Sequence, residues 1–294
     1  MSKIVILGAE GNLGNCLFQE FSQTGEYKVI GWDKQDVDIT DKELVMEKLR
    51  EVAPDIIINT AAYNAVDQCE EDEEEKKKAE MLNGQAVGFL AESALELGAT
   101  LVHFSSDYVF GGGKEEGYTE EEEPTPVNKY GKTKRIGEEE IISRSGEGLR
   151  WYLIRTSKLF GPVSPSAEAK KSFFDRILEL GREREELKMV HREEISCFTY
   201  TPDLAAKVKE LIEEKKPYGI YHITNSGKAD WYEGAQELFR LHPEVEVKLT
   251  PVSSADLDRP AKRPRNSVLI NTKLEPLRSW QEALHEYYNL NSKS

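Results

Sequence analysis

The sequence predicts an α/β fold, a doubly wound parallel sheet with a smaller C-terminal α/β subdomain. Three observations predict it. A continuous apolar run, Ile4 to Leu7 in "KIVILGAEGNLG", stops on Gly8 and suits a strand buried on both faces. Segments with strand character then alternate with segments of helical periodicity. After Gly161 the alternation loosens, without an internal repeat or a long linker.

In chain order, "NCLFQEFSQ" sets Leu17, Phe18 and Phe21 at helical spacing, and "YKVIGWD" forms a second strand ending at Asp33. "DKELVMEKLREV" is an amphipathic helix and "DIIINTAA" a third strand. "NGQAVGFLAESALELGA" carries Val87, Leu90, Ala91, Ala94 and Leu95 on a helix that stops at Gly98. "TLVHFSSDYVF" is the next strand, and "RWYLIRTSKLFG" another after a helix around Tyr130. Beyond Gly161, "KSFFDRILELGRE", "TPDLAAKVKELIEEKK" and "DWYEGAQELFRL" read as helices, with Thr201 as an N-cap, and "GIYHITN" as a strand. These segments predict a dinucleotide-binding domain over 1–157, joined by segments around 196–225. Residues 158–195 and 226–294 then form a substrate-binding subdomain.

Bulk properties narrow the function. The 294 residues are 38% apolar and 32% charged, as in a soluble globular protein. No apolar run approaches the ~20 residues of a spanning helix, and the N-terminal apolar run leads into glycines rather than a cleavage site. Three scattered cysteines, Cys16, Cys69 and Cys197, read as reduced thiols, so a cytoplasmic location is expected. The formal net charge of −15 argues against nucleic-acid partners. The acidic run "CEEDEEEKKKAE" reads as a solvated helix face.

Three constellations carry chemistry. In "GAEGNLG", Gly8, Gly11 and Gly14 permit a tight turn, close approach to a pyrophosphate and close helix–strand packing, and a helix N-terminus adds N–H donors. This is the signature of a Rossmann dinucleotide site. Asp33, at the end of the second strand, can accept hydrogen bonds from the ribose hydroxyls of NAD and repels a 2′-phosphate. Lys34 beside it softens that repulsion, so NADH and NADPH both stay open. Asp38 and Ile39 fall beneath the adenine, and Ala61 and Ala62 keep a strand end small. The second constellation, "HFSSDYVFGG", places Ser106 and Asp107 at the carboxyl edge of a strand. The third is Tyr130 and Lys134, four residues apart on one helix face. A cation beside a phenol favours the phenolate, making Tyr130 a better acid toward a carbonyl oxygen as hydride arrives.

The glycine turn, Ser106 and the Tyr130–Lys134 pair, in this order, resemble the extended short-chain dehydrogenase/reductase superfamily. Within it the chain looks most like the dTDP-4-dehydrorhamnose reductase family. The likeness runs nearly end to end through "NTAAYNAVDQCE", "FSSDYVFGG", "PTPVNKYGKTKRIGE", "IRTSKLFG", "TYTPDLA", "GIYHITNSG" and "RPAKRPRNSVL". The resemblance implies NADH- or NADPH-dependent reduction of a 4-keto-6-deoxy nucleotide sugar, most simply dTDP-4-dehydrorhamnose to dTDP-rhamnose, for cell-surface polysaccharide. It implies Tyr130 as proton donor with Lys134 as its partner, and Ser106 and Asp107 on the sugar. It also implies Gly11, Asn12, Leu13, Asp38, Ile39, Ala61, Ala62 and Tyr63 along the cofactor.

Two positions depart from the family pattern. Lys158 stands where a Trp usually contacts the sugar, and "EEISCF", Glu193 to Phe198, replaces a "DQxGxP"-like segment. In "RPAKRPRN", Arg263 best matches the family's "RP" and is the expected diphosphate contact. Homodimers held through Mg²⁺ occur in the family, but no ligand set maps onto this chain. Other readings are a nucleotide-sugar epimerase or dehydratase, and a non-catalytic relative that is a regulatory subunit of methionine adenosyltransferase.

Overall fold

Ile4, Val5, Ile6 and Leu7 are all at most 1% exposed, the burial that a strand covered on both faces requires. The computed structural model describes residues 1–166 and 169–291. The first half runs β1 (Ser2–Leu7), α1 (Asn12–Ser22), β2 (Tyr27–Trp32), α2 (Lys42–Val52), β3 (Ile56–Asn59), α3 (Val66–Glu71), α4 (Glu73–Glu80), α5 (Ala86–Leu97), β4 (Thr100–Ser106), α6 (Lys129–Ile142) and β5 (Arg150–Thr156). The second half continues with β6 (Leu159–Phe160), α7 (Phe173–Glu183), β7 (Glu186–Val190), β8 (Thr199–Tyr200), α8 (Thr201–Glu213), β9 (Gly219–His222) and β10 (Asn225–Ser226). It ends with α9 (Trp231–Leu241), β11 (Lys248–Val252), β12 (Leu277–Ser279) and α10 (Trp280–Asn291).

Six strands form one parallel sheet in the order β2-β1-β3-β4-β5-β9. The chain steps from β1 outward to β2, then returns to the other side of β1 for β3. At such a reversal the two crossovers leave on opposite faces, and a crevice opens beyond the carboxyl ends of the strands. On one face Leu13, Leu17 and Phe21 of α1 pack with Leu204, Val208 and Leu211 of α8. On the other, Val45 and Leu49 of α2 join Val87 and Leu90 of α5 and Ile141 of α6. Each such side chain contributes about 1.5–3 kcal/mol of burial. A further core, containing Phe160, Phe174, Phe198, Leu238 and Trp280, gathers α7, α9 and α10 beside the sheet.

Local geometry corrects several sequence expectations. Residues 150–161 are not one strand. Lys158 takes a left-handed φ of 40°, and the chain leaves the main sheet there to pair β6 with β8. Thr201 is the first residue of α8 rather than its cap; Tyr200 precedes the helix and no side chain caps it. The Thr201 hydroxyl instead meets the Cys16 thiol at 3.4 Å. The acidic run is two helices, broken where Asp72 accepts the N–H groups of Glu74 and Glu75 to start α4. A π-helical turn, Met81–Gln85, joins α4 to α5 and buries Asn83 completely. The three cysteines are buried and unpaired, and burial raises each thiol's pKa. Among the described residues, no helix is long and apolar enough to cross a membrane.

Candidate active site

A cleft of about 1080 Å³ opens at the carboxyl ends of β1, β3, β4 and β5. At one end the chain turns from β1 into α1. Gly8 has φ +77°, and a Cβ there would lie 2.8 Å from both the Ala61 nitrogen and Thr60 Oγ1. At Gly14 a Cβ would stand 2.1 Å from the Gly8 carbonyl oxygen, so α1 presses on the turn at a distance only glycine allows. Gly11 precedes α1, and no side chain caps the helix's first turn. Asn12 accepts the Ser164 N–H at 2.9 Å and donates to the Lys170 carbonyl at 2.7 Å, tying the loop after β6 across the turn. Leu13 lines the same wall.

Asp33 follows β2 and lines the cleft, its carboxylate accepting the Glu10 N–H at 2.6 Å. The Lys34 side chain is 85% exposed, 3.9 Å from Asp38. Asp38 is turned inward by the Thr40 N–H at 3.0 Å and hydroxyl at 2.7 Å, and Ile39 is buried beside it. Beyond β3, Asn59 Oδ1 takes the Ala61 N–H at 3.1 Å, and Ala62 and Tyr63 complete this wall. Asn83 fixes the Tyr63 backbone from both sides, by 2.8 and 3.0 Å bonds, and also holds Thr133 of α6 at 3.0 Å. The periodicity that marks α5 gives no hint of this strut, because its partners are distant in sequence. Lys77 and Lys78 of α4 also reach the cleft, a position the solvated-helix reading did not anticipate.

Midway along, β4 delivers Ser106. Its hydroxyl donates to Asp107 at 3.1 Å and accepts the Tyr108 N–H at 3.2 Å. Asp107 is 3% exposed rather than solvated, with Ser267 donating to it at 2.5 Å. Burial pushes its carboxyl pKa up, against the hydrogen bonds of Ser267 and Ser106. Across the cleft, Asn128 caps α6 by accepting the Gly131 N–H at 2.7 Å. A Cβ on Gly131 would lie 2.1 Å from the Tyr108 carbonyl oxygen, so the helix sits close against the β4 end. Tyr130 is 8% exposed and stands edge-on to Tyr108.

The electrostatics of this pair differ from expectation. The Lys134 ammonium donates to the Phe104 carbonyl at 2.7 Å. Burial raises the Tyr130 pKa, and a hydrogen bond with Ser106 opposes that rise. The phenol also donates to Asn64 Oδ1 at 3.3 Å. Lys134 is itself pushed down to about 8 by burial, with the Glu138 carboxylate opposing. Sequence spacing put the cation on the correct helix face, but the β4 carbonyl captures it.

At the far end Lys158 lines the cleft instead of reaching to solvent. Its ammonium donates to the carbonyls of Glu194 at 3.0 Å and Ala229 at 3.3 Å, and lies 3.9 Å from the centre of the Trp231 ring. Trp231 and Asn64 line the cleft and were not singled out by sequence reasoning, whereas Glu194 falls within the Glu193–Phe198 segment that it did mark. Arg263 lies behind Tyr108 and does not itself line the cleft. Asp67 takes its guanidinium fork in two 2.6 Å bonds, because α3 packs against the 259–265 loop. Among the described residues no cluster of three or more His, Cys, Asp or Glu can hold a metal, so no site for Mg²⁺ is assigned.

A glycine turn at the switch point of a parallel sheet, with Ser106 facing the Tyr130–Lys134 helix over one cleft, defines an extended short-chain dehydrogenase/reductase. Residues 2–292 match the family described as the RmlD substrate binding domain. The spore coat polysaccharide biosynthesis protein SpsK of Bacillus subtilis (strain 168) is 35% identical, over 98% of this chain and 97% of that protein. A dTDP-4-dehydrorhamnose reductase structure from Clostridium acetobutylicum superposes with TM-score 0.89 at 38% identity, covering 99% of both chains. A dTDP-4-dehydrorhamnose reductase from Bacillus anthracis, solved in complex with NADP, gives TM-score 0.89 at 33% identity over 99% of this chain and all of that one. This chain belongs to the dTDP-4-dehydrorhamnose reductase family.

Proposed function

We propose that the protein is an NAD(P)H-dependent reductase of a nucleotide-linked 4-keto-6-deoxysugar serving polysaccharide biosynthesis. Reduction of dTDP-4-dehydrorhamnose to dTDP-rhamnose is the first assignment. The observation that carries it is the buried Tyr130 phenol placed with Ser106 at the β4 end of a cleft that begins at a glycine turn. The relatives named as dTDP-4-dehydrorhamnose reductases, and the one solved with NADP, support substrate class and cofactor.

The residues present fit a nicotinamide dinucleotide. Gly8 and Gly14 let the turn and α1 pack where a Cβ would collide with neighbouring atoms, and α1 offers an uncapped first turn to a pyrophosphate. Asp33 and Asp38 flank the place for the adenosine ribose, with Ala61, Ala62 and Tyr63 along the opposite wall. When bound, the dihydronicotinamide supplies the hydride. Tyr130 gives its proton to the carbonyl oxygen as negative charge grows there, and its raised pKa keeps that proton in place until then. Ser106 holds the same oxygen by a hydrogen bond. Lys134, anchored on Phe104, keeps positive charge one helical turn from the phenol and would hold the nicotinamide ribose by a hydrogen bond. Asp107 and Lys158 face the sugar. Asp67 holds both outer nitrogens of the Arg263 fork, so a bidentate contact of Arg263 with a diphosphate would require that pair to open.

Tyr130→Phe tests the reading. Turnover, followed as NADPH loss with dTDP-4-dehydrorhamnose, is expected to fall by roughly 10²–10⁴-fold, with NADPH affinity unchanged. Turnover equal to the unmodified protein removes Tyr130 as the acid.

A further inference from the structure

Two stretches that depart from the family pattern in sequence, Lys158 and Glu193–Phe198, meet in space. Glu194 is 5% exposed. Its carboxylate accepts Trp231 Nε1 at 2.8 Å, the Ser254 hydroxyl at 2.6 Å and two nitrogens of Arg259. Its backbone carbonyl accepts the Lys158 ammonium at 3.0 Å. One residue therefore holds the edge of the Trp231 indole and, through its main chain, the cation lying over that ring.

The backbone here is unusual as well. Among the described residues, five non-glycine residues have a left-handed φ: Ala53, Lys158, Arg192, Glu194 and Lys215. Ala53 and Lys215 end α2 and α8, a common place for that conformation. The other three are all in this cluster, where Arg192 donates its N–H to Asp230 at 2.6 Å, beside Trp231. Such backbone persists only where surrounding bonds over-determine it.

Charge accounting shows what the cluster presents. Arg259 neutralises Glu194, and the hydroxyls of Ser106 and Ser267 donate to Asp107. Asp107, Glu194 and Asp230 lie near enough to favour the charged Lys158, yet among the described residues no carboxylate forms an ion pair with it. Two of its three donors are taken by carbonyls, and both Lys158 and Trp231 line the cleft.

We propose that Lys158, Trp231 and Glu194 form a recognition subsite for acceptor oxygens on the sugar of the nucleotide-sugar substrate. Lys158 is the donor, Trp231 the wall behind it, and Glu194 the positioning residue that fixes both. The subsite rests on the reductase reading above. It selects sugars that offer a hydroxyl or carboxylate oxygen to an ammonium, rather than a flat apolar face to an indole.

Calorimetric titration of the NADPH-saturated protein with dTDP and with dTDP-glucose tests it, because their affinity ratio isolates the sugar's share of binding. The unmodified protein is expected to bind dTDP-glucose more tightly than dTDP. In Lys158→Met that advantage is expected to shrink roughly tenfold, as for a lost charge-assisted hydrogen bond. Lys158→Arg is expected to keep part of it. Glu194→Gln is expected to lose most of it, and the double variant Lys158→Met/Glu194→Gln to lose no more than Lys158→Met alone. NADPH affinity, measured separately, stays constant and reports that each variant is folded. An unchanged dTDP-glucose to dTDP ratio in Lys158→Met and Glu194→Gln overturns the subsite while leaving the reductase reading intact. An unmodified protein that binds NADPH but neither dTDP nor dTDP-glucose overturns the nucleotide-sugar reading and the subsite together.

Discussion

The two ends of the cleft are built on opposite principles. At the nucleotide end the unusual backbone is carried by glycine: Gly8 takes φ +77°, and Gly14 lets α1 come against the turn. At the sugar end it is carried by Lys158, Arg192 and Glu194, with φ of 40°, 62° and 55°. A side chain in that region costs on the order of 1–3 kcal/mol, whereas glycine adopts it freely. On the proposed function, the nucleotide end would recognise its ligand mainly through main-chain geometry, and the sugar end would instead spend stability to aim side chains. Main-chain recognition admits few substitutions, while side-chain recognition can be re-specified residue by residue.

That contrast can be broken most severely at Gly14. In Gly14→Ala the new methyl meets the Gly8 carbonyl oxygen, and α1 must move away from β1. Overpacking of this kind is expected to cost roughly 3 kcal/mol. The checks are urea unfolding and NADPH titration, which are expected to show loss of stability and of cofactor binding together. Lys158→Met at the other end should leave NADPH binding intact.

A smaller effect sharpens the comparison through pH. Burial holds both Lys134 and Lys158 at about 8. Raising the pH through that value removes the ammonium charge from both, so kcat/KM is expected to fall on the alkaline side. If the limb persists unchanged in Lys158→Met, it belongs to Lys134 and the hydride end; if it moves, the sugar end contributes. Stability is expected to change in the opposite sense. Between about 8 and the unfolded Lys pKa near ~10.4, the unfolded chain holds more protons than the folded one, so stability rises with pH. Denaturant midpoints across that window check this.

The smallest expected effect concerns Asp33, a side chain working at the main-chain end. Asp33→Ala removes a ribose acceptor and a negative charge, and also frees the Glu10 N–H that now donates to it. The ratio of kcat/KM for NADPH over NADH is expected to rise. A constant ratio would place cofactor choice elsewhere, with Lys34, Lys77 and Lys78 among the basic groups that line the cleft.

How much was legible depended on how local the determining physics was. The buried run Ile4–Leu7, the glycine turn and the four-residue step from Tyr130 to Lys134 act within one element or across one turn. Sequence alone therefore placed the parallel sheet, the glycine turn between β1 and α1, and Tyr130 and Lys134 on one helix facing the cleft. Lys134 on the Phe104 carbonyl, Asn83 between Tyr63 and Thr133, and Asp67 on Arg263 join residues 20 to 196 positions apart. No periodicity encodes such partners. The sequence marked Lys158 and Glu193–Phe198 as departures, and only packing decided that they share one cluster with Trp231. The physical reason is that backbone geometry follows from neighbouring residues, whereas the charge state and partner of a buried side chain follow from whichever groups folding brings within a few ångströms.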